Sequence, residues 1–151
     1  DMLTGKQNVG KKVLIVGGGM VGAEAAEHLA ERGHQCDIVE MKPVVGEDIM
    51  PEPRKYIMAS LEHHKVGQIT NAKVSEFFTD GVRYTSTVDG TEGELRGYDN
   101  IVLAMGARSN NPLEEPLKAL VPQVFVIGEA RQAPGNSMIA TGDALNAALA
   151  I

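Results

Sequence analysis

The stretch Val13-Leu14-Ile15-Val16-Gly17-Gly18-Gly19-Met20-Val21-Gly22 decides the fold. Four apolar residues, three of them β-branched, stand between a pair of lysines and a glycine run, as in a short parallel strand buried on both faces. Gly17, Gly19 and Gly22 then spell G-x-G-x-x-G where the strand ends. Residues 20–32 take up a helical period, with Gly22, Ala25, Ala26 and Leu29 on one face and Glu24, Glu27 and Glu31 on the other, and Gly33 supplies the stop. Glycine-rich turns are common, so it is the strand-turn-helix context that gives the motif its value. Gly17 makes the tight turn, Gly19 lets backbone approach a pyrophosphate, and Gly22 lets helix pack on strand. The unpaired N–H groups of a helix opening at Met20 and Val21, and its positive dipole end, then face the phosphates. A tight strand-to-helix turn in another doubly wound fold is the alternative.

Outward from this turn, residues 36–39 form a second apolar strand that ends at Glu40. An acid there accepts hydrogen bonds from the adenosine ribose hydroxyls and repels a 2′-phosphate, which favours NAD(H) over NADP(H). Met41 and Lys42 complete the strand-end turn, and the Lys42 charge softens the repulsion. A solvated strand-end charge is the other reading of Glu40. Residues 43–53 read as a Gly/Pro-containing loop, 54–63 as a helix with Ile57 and Leu61 inward, and 66–70 as a third strand. This βαβαβ order predicts a parallel sheet with right-handed crossovers. Alternation then replaces the helical period over 74–78 and 82–88 and near Leu95. The turn signals Asp80-Gly81 and Asp89-Gly90 make this an antiparallel meander.

Further strands are expected at 101–105, ending at Gly106, and at 124–127, ending at Gly128. A loop carrying Pro112, Pro116 and Pro122 lies between them. The turn Ala104-Met105-Gly106 stands at the C-terminal end of a strand, where open α/β sheets place their ligands. Gly128-Glu129 repeats the strand-then-glycine design and adds an acid. The predicted fold is α/β: a Rossmann-like three-layer domain whose central parallel sheet has an antiparallel β-meander crossover. Its parts are a linker over 1–12, a dinucleotide-binding domain over 13–111, a connector over 112–120 and a return segment over 121–151.

The bulk properties close off other functions. The chain has 151 residues and a formal charge of −6 with no lysine or arginine run, which argues against nucleic acid. No apolar run approaches the roughly 20 residues of a membrane helix and no signal sequence is visible, so a cytoplasmic location is expected. Cys36 is the single cysteine; it cannot form an internal disulfide or hold a cluster, and it reads as a packing residue. His28, His34, His63 and His64 lack ligand-spaced partners and read as surface residues, so no metal is expected. No nucleophilic triad is visible either, and any redox chemistry belongs to a cofactor. The start at Asp1 and the stop at Ile151, inside an alanine-rich stretch of helical composition at 144–151, suggest a piece of a larger protein.

With these pieces assembled, the chain resembles the pyridine-nucleotide domain of flavin-dependent oxidoreductases of the old-yellow-enzyme-like multidomain group, which includes 2-enoate reductase, 2,4-dienoyl-CoA reductase and trimethylamine dehydrogenase. The matching segments are residues 9–13, the glycine turn through Ala26, Val39-Glu40-Met41, Ala104-Met105-Gly106-Ala107-Arg108 and Val126-Ile127-Gly128-Glu129-Ala130. The resemblance implies NAD(H) in this domain, passing hydride to FAD, with FMN and an iron–sulfur cluster elsewhere in the full-length protein. It implies that the partners are the barrel and FAD portions of the same polypeptide, and that the isolated fragment binds but does not catalyse. Glu24 matches a family glutamate near the nicotinamide end, although its spacing with Glu27 and Glu31 also suits a solvated face. Gly128 and Glu129 match the element that returns the chain to the FAD half, where the family usually has Asp. Residues 121–151 would then lack their neighbours and pack on the sheet edge or swap between chains, so an oligomer of the fragment is possible. A stand-alone NAD(H)-binding sensor and an FAD-binding Rossmann unit are the alternatives.

Overall fold

The computed structural model describes residues 8–151, and the first seven residues of the expected linker lie outside that range. The apolar run becomes β1 (Lys12–Val16), and the glycine turn leads from it into α1 (Met20–Ala30). The helix ends as its Gly33 predicts. Gly33 adopts a positive φ of 85°, its N–H donates to Ala30 O, and the N–H of His34 donates to Leu29 O, so carbonyls of the last turn are satisfied. Then follow β2 (Gln35–Val39), α2 (Pro51–His63) and β3 (Gly67–Ile69). The meander is β4 (Ala72–Phe78), β5 (Gly81–Ser86) and β6 (Glu92–Leu95), and β7 (Asn100–Leu103) returns to the first sheet.

The parallel sheet runs β3-β2-β1-β7 and the antiparallel sheet β4-β5-β6, so the three-layer Rossmann-like reading holds. Alternation along the central strands divides the core. Val13 and Ile15 of β1, with Cys36 and Ile38 of β2, pack on Ala23, Ala26 and Leu29 of α1 and on Ile57 and Leu61 of α2. Leu14, Val16 and Val39 face the other way, onto Val82 of β5 and Tyr98. Every residue from Val13 to Val16 is therefore buried, and each such side chain contributes about 1.5–3 kcal/mol. Asp37 lies within β2, between the buried Cys36 and Ile38. It lies on the meander side, where its Oδ2 accepts from the Tyr98 hydroxyl at 2.8 Å, and the ammonium of Lys12 lies over the Tyr98 ring.

Several boundaries differ from the sequence reading. α2 begins at Pro51, not residue 54, because Pro51 and Pro53 fall in its first turn, where no backbone N–H is needed. Two of the four histidines, His28 and His34, are partly rather than fully exposed, and Nδ1 of His34 pairs with Gly10 O at 2.7 Å. The linker end is tied down as well, since Gly10 N donates to Asn100 Oδ1 at 2.7 Å and Val9 packs on the core.

A second compact unit comprises Gly106–Ile151. The connector contains the short helix α3 (Glu114–Lys118), held by Lys118 pairing with Glu114 at 2.7 Å and with Glu115 at 3.0 Å. The expected strand at 124–127 is a correction: the segment has no regular secondary structure. A β run needs a neighbour for its N–H and C=O groups, and among the described residues no strand pairs with it. α4 (Ser137–Leu149) is capped by the Asn136 side chain, which accepts from Ile139 N at 3.0 Å, yet the helix buries none of its residues.

Candidate dinucleotide site

At the C-terminal end of β1 the chain must turn inside a narrow space. Gly17 has a φ of +100°, and a Cβ there would lie 2.3 Å from Ala104 O. A Cβ on Gly22 would lie 1.9 Å from Gly17 O, so the first turn of α1 rests directly on the backbone of the glycine turn. Gly19 is the extended residue before α1 and brings no capping side chain, although its carbonyl accepts from Ala23 N at 2.9 Å. Met20 and Val21 open the helix and are exposed. The result is a bare backbone cradle at a helix N-terminus, the arrangement that suits an anion.

Glu40 is buried, at 8% exposure, so it is not a solvated strand-end charge. Its Oε2 accepts from Gly18 N at 2.5 Å and its Oε1 from Lys42 N at 2.8 Å. The carboxylate thus braces the glycine turn against the end of β2, and each oxygen keeps a lone-pair direction for a sugar hydroxyl. Gly18 is packed as tightly: a Cβ there would meet Glu40, Ile38 and Val45, each at 3.1 Å. Met41 is exposed beside it. The ammonium of Lys42 pairs with Glu47 at 2.8 Å, and that partner holds it above the usual lysine range.

The segment from 43 to 50 contributes residues that the sequence reading missed. Val45 and Ile49 are buried, Gly46 N donates to Gly18 O at 2.7 Å, and Arg54 donates through Nε to Gly46 O at 2.9 Å and through Nη2 to Val45 O at 3.1 Å. The apolar pair Val45 and Ile49 was the available signal that this loop folds back on the glycine turn. Asp48 exploits that position. Its Oδ2 accepts from Met20 N at 3.3 Å and lies against Gly19, so the helix N-terminus already carries a carboxylate.

The other expected residues divide into two groups. Ala104 closes the cradle beside Gly17, its N–H donating to Val16 O at 2.8 Å, and Met105 follows, exposed. Glu24 is exposed on α1. Gly106, with a φ of +82°, opens the second unit. In that unit Gly128 has a φ of +62° and donates from its N–H to Asp143 Oδ2 at 3.0 Å, and Glu129 Oε1 accepts from Gly135 N at 3.0 Å. Both make local anchors, and Asp143 is held below the usual carboxylate range, chiefly by Arg131. Cys36 is buried; that burial, with the Asp37 charge, pushes its thiol up to about 11, which suits a packing role. Among the described residues no group of three or more His, Cys, Asp or Glu is placed to hold a metal, and no helix is long and apolar enough to cross a membrane.

A parallel sheet, a glycine turn opening a helix and a braced acid at the end of the next strand define a Rossmann-like α/β domain. Residues 3–144 match the pyridine nucleotide-disulphide oxidoreductase family, and the chain belongs to it. The chain is 30% identical to a metal reductase of Desulforamulus reducens over 99% of its own length and 26% of that protein. It is 33% identical to an NADH oxidase of Thermoanaerobacter brockii over 86% of its length and 20% of that protein. The fold is shared with a 2-naphthoyl-CoA reductase solved with 2-naphthoyl-CoA, at a TM-score of 0.73 and 24% identity, covering 95% of this chain and 21% of that one. The chain therefore spans about a quarter or less of the length of these proteins, and the resemblance to the multidomain flavoprotein reductases holds.

Proposed function

We propose that this chain is the NAD(H)-binding part of a multidomain, flavin-dependent oxidoreductase. The observation that carries the reading is the cradle itself: backbone approaches so closely at Gly17 and Gly22 that no side chain fits, beside a buried acid at the end of β2. A dinucleotide fits these residues. Gly17, Gly19 and Gly22, with the amides opening α1 at Met20 and Val21, would hold the pyrophosphate, and Glu40 with Met41 and Lys42 would hold the adenosine. Ala104, Met105 and Gly106 would flank the nicotinamide half, with Glu24 near it. When bound, the nicotinamide supplies hydride to a flavin, FAD in this reading, and the chain's own part is to bind and orient the dinucleotide. Residues 13–111 form the binding domain, and 121–151 form the segment that rejoins an FAD half through Gly128 and Glu129. FAD, FMN and an iron–sulfur cluster belong in this reading to the remaining polypeptide. That polypeptide is cytoplasmic, and its barrel and FAD portions are the partners.

Calorimetric titration of the protein with NADH, NADPH and FAD tests this. Binding of NADH with little response to FAD is expected. Tight FAD binding with no response to NADH would transfer the glycine turn to the flavin.

A further inference from the structure

The cations around the end of β2 are already committed. Lys42 follows Glu40 by two residues, and its backbone N–H is bonded to the Glu40 carboxylate, so its side chain starts beside the place a ribose would take. Its ammonium is held at 2.8 Å by Glu47, from the loop that folds back over the glycine turn. Arg54, the other cation anchored to this loop, spends its guanidinium on the carbonyls of Gly46 and Val45. Lys42 is thus neutralised by Glu47, with the carboxylates of Glu40 and Asp48 close by on the same turn. A ribose 2′-hydroxyl meets acceptors here. A 2′-phosphate meets surplus negative charge and a lysine that is already paired.

We propose that Glu47 is a positioning residue for cofactor choice: by holding Lys42 it withholds this cation from a 2′-phosphate and keeps the site selective for NADH over NADPH. The proposal rests on the NAD(H) reading and deepens it. Lys42 and Glu47 are both about half exposed, so their replacement leaves the core and the glycine turn intact. Glu40 sets the basal preference, and Glu47 prevents Lys42 from relaxing it.

The test measures the Kd of NADH and of NADPH for the wild-type protein, Glu47→Gln, Lys42→Met and the double variant, at low and at physiological salt. Wild type is expected to bind NADH more tightly. In Glu47→Gln, NADPH affinity should rise about tenfold, as one new charge-assisted contact allows, while NADH affinity changes less than about twofold. The gain should vanish in the double variant and shrink with added salt. Unchanged NADPH affinity in Glu47→Gln, or an equal gain when Lys42 is also absent, overturns the role of Glu47 and leaves the NAD(H) site standing. Equal wild-type binding of the two nucleotides overturns the selectivity on which the proposal rests. Wild-type protein that binds neither nucleotide overturns the NAD(H) reading and this proposal together.

Discussion

Replacing Gly22 with alanine tests whether the cradle depends on backbone contact. A Cβ at this position would stand 1.9 Å from Gly17 O, 3.0 Å from Gly17 C and 3.3 Å from the Ala104 methyl. To reach even a 3.0 Å contact, the Gly17 carbonyl must retreat by more than about 1 Å, and backbone cannot rotate aside as a side chain can. Overpacking of this kind costs about 1–3 kcal/mol, and the better helix propensity of alanine returns up to about 1 kcal/mol. At the middle of these ranges the net loss is about 1–2 kcal/mol. It would lower the urea midpoint by roughly 0.5–1 M for a chain of this size. Displacing the start of α1 by about 1 Å also exceeds the roughly 0.5 Å tolerance of a built site, so NADH affinity should fall at least about tenfold. Gly90→Ala is the control. It sits at positive φ, 75°, where alanine is strained, but unlike at Gly22 a Cβ there meets nothing within 4 Å. It should lose about 1 kcal/mol of stability and no affinity. A Gly22→Ala protein with wild-type midpoint and wild-type NADH affinity would refute the contact argument.

Asp48→Asn removes a carboxylate from Met20 N. It should cost the free protein about 0.3–1 kcal/mol in urea unfolding while raising dinucleotide affinity a few fold in calorimetry, because phosphate no longer competes with a resident anion. A drop in affinity would instead make Asp48 a ligand-positioning group. Tyr98→Phe removes the donor to Asp37 and should cost about 1.5–3 kcal/mol, the range for a hydrogen bond to a charged group. Burial, and then Asp37, hold the Tyr98 hydroxyl above the usual tyrosine range. The wild-type advantage should therefore be complete below about pH 10 and fall as pH rises further, whereas Tyr98→Phe should lack that dependence. An identical alkaline decline in both proteins would exclude Tyr98 as its source.

The parts of the fold that were legible in the sequence are those written in local periods. The run from Val13 to Val16 reads as a two-faced strand, the glycine turn is read from the spacing of Gly17, Gly19 and Gly22, and the meander shows as alternation broken by Asp-Gly pairs. Contacts between distant positions were not legible. Asp37 meets Tyr98 across 61 positions, and nothing local to either residue announces the pair. The loop at 43–50 looked like a spacer because Pro43 and Gly46 signal irregular backbone, yet Val45 and Ile49 bury it against the turn and deliver Glu47 and Asp48 to the candidate site. Val124 to Ile127 shows the opposite failure: β-branched composition predicts a strand, but a strand also requires a partner. Glu40 was identified by position, whereas its bond to Gly18 N became visible only in three dimensions.

Titration of isotopically labelled protein with NADH, followed through its backbone amide resonances, tests the central claim most directly. The largest shifts are expected at Gly18, Gly19, Met20 and Val21, with smaller ones at Lys42 and Met105. Saturable NADH binding that leaves these amides unmoved and shifts resonances elsewhere in the chain would contradict the assignment of the glycine turn as the dinucleotide site.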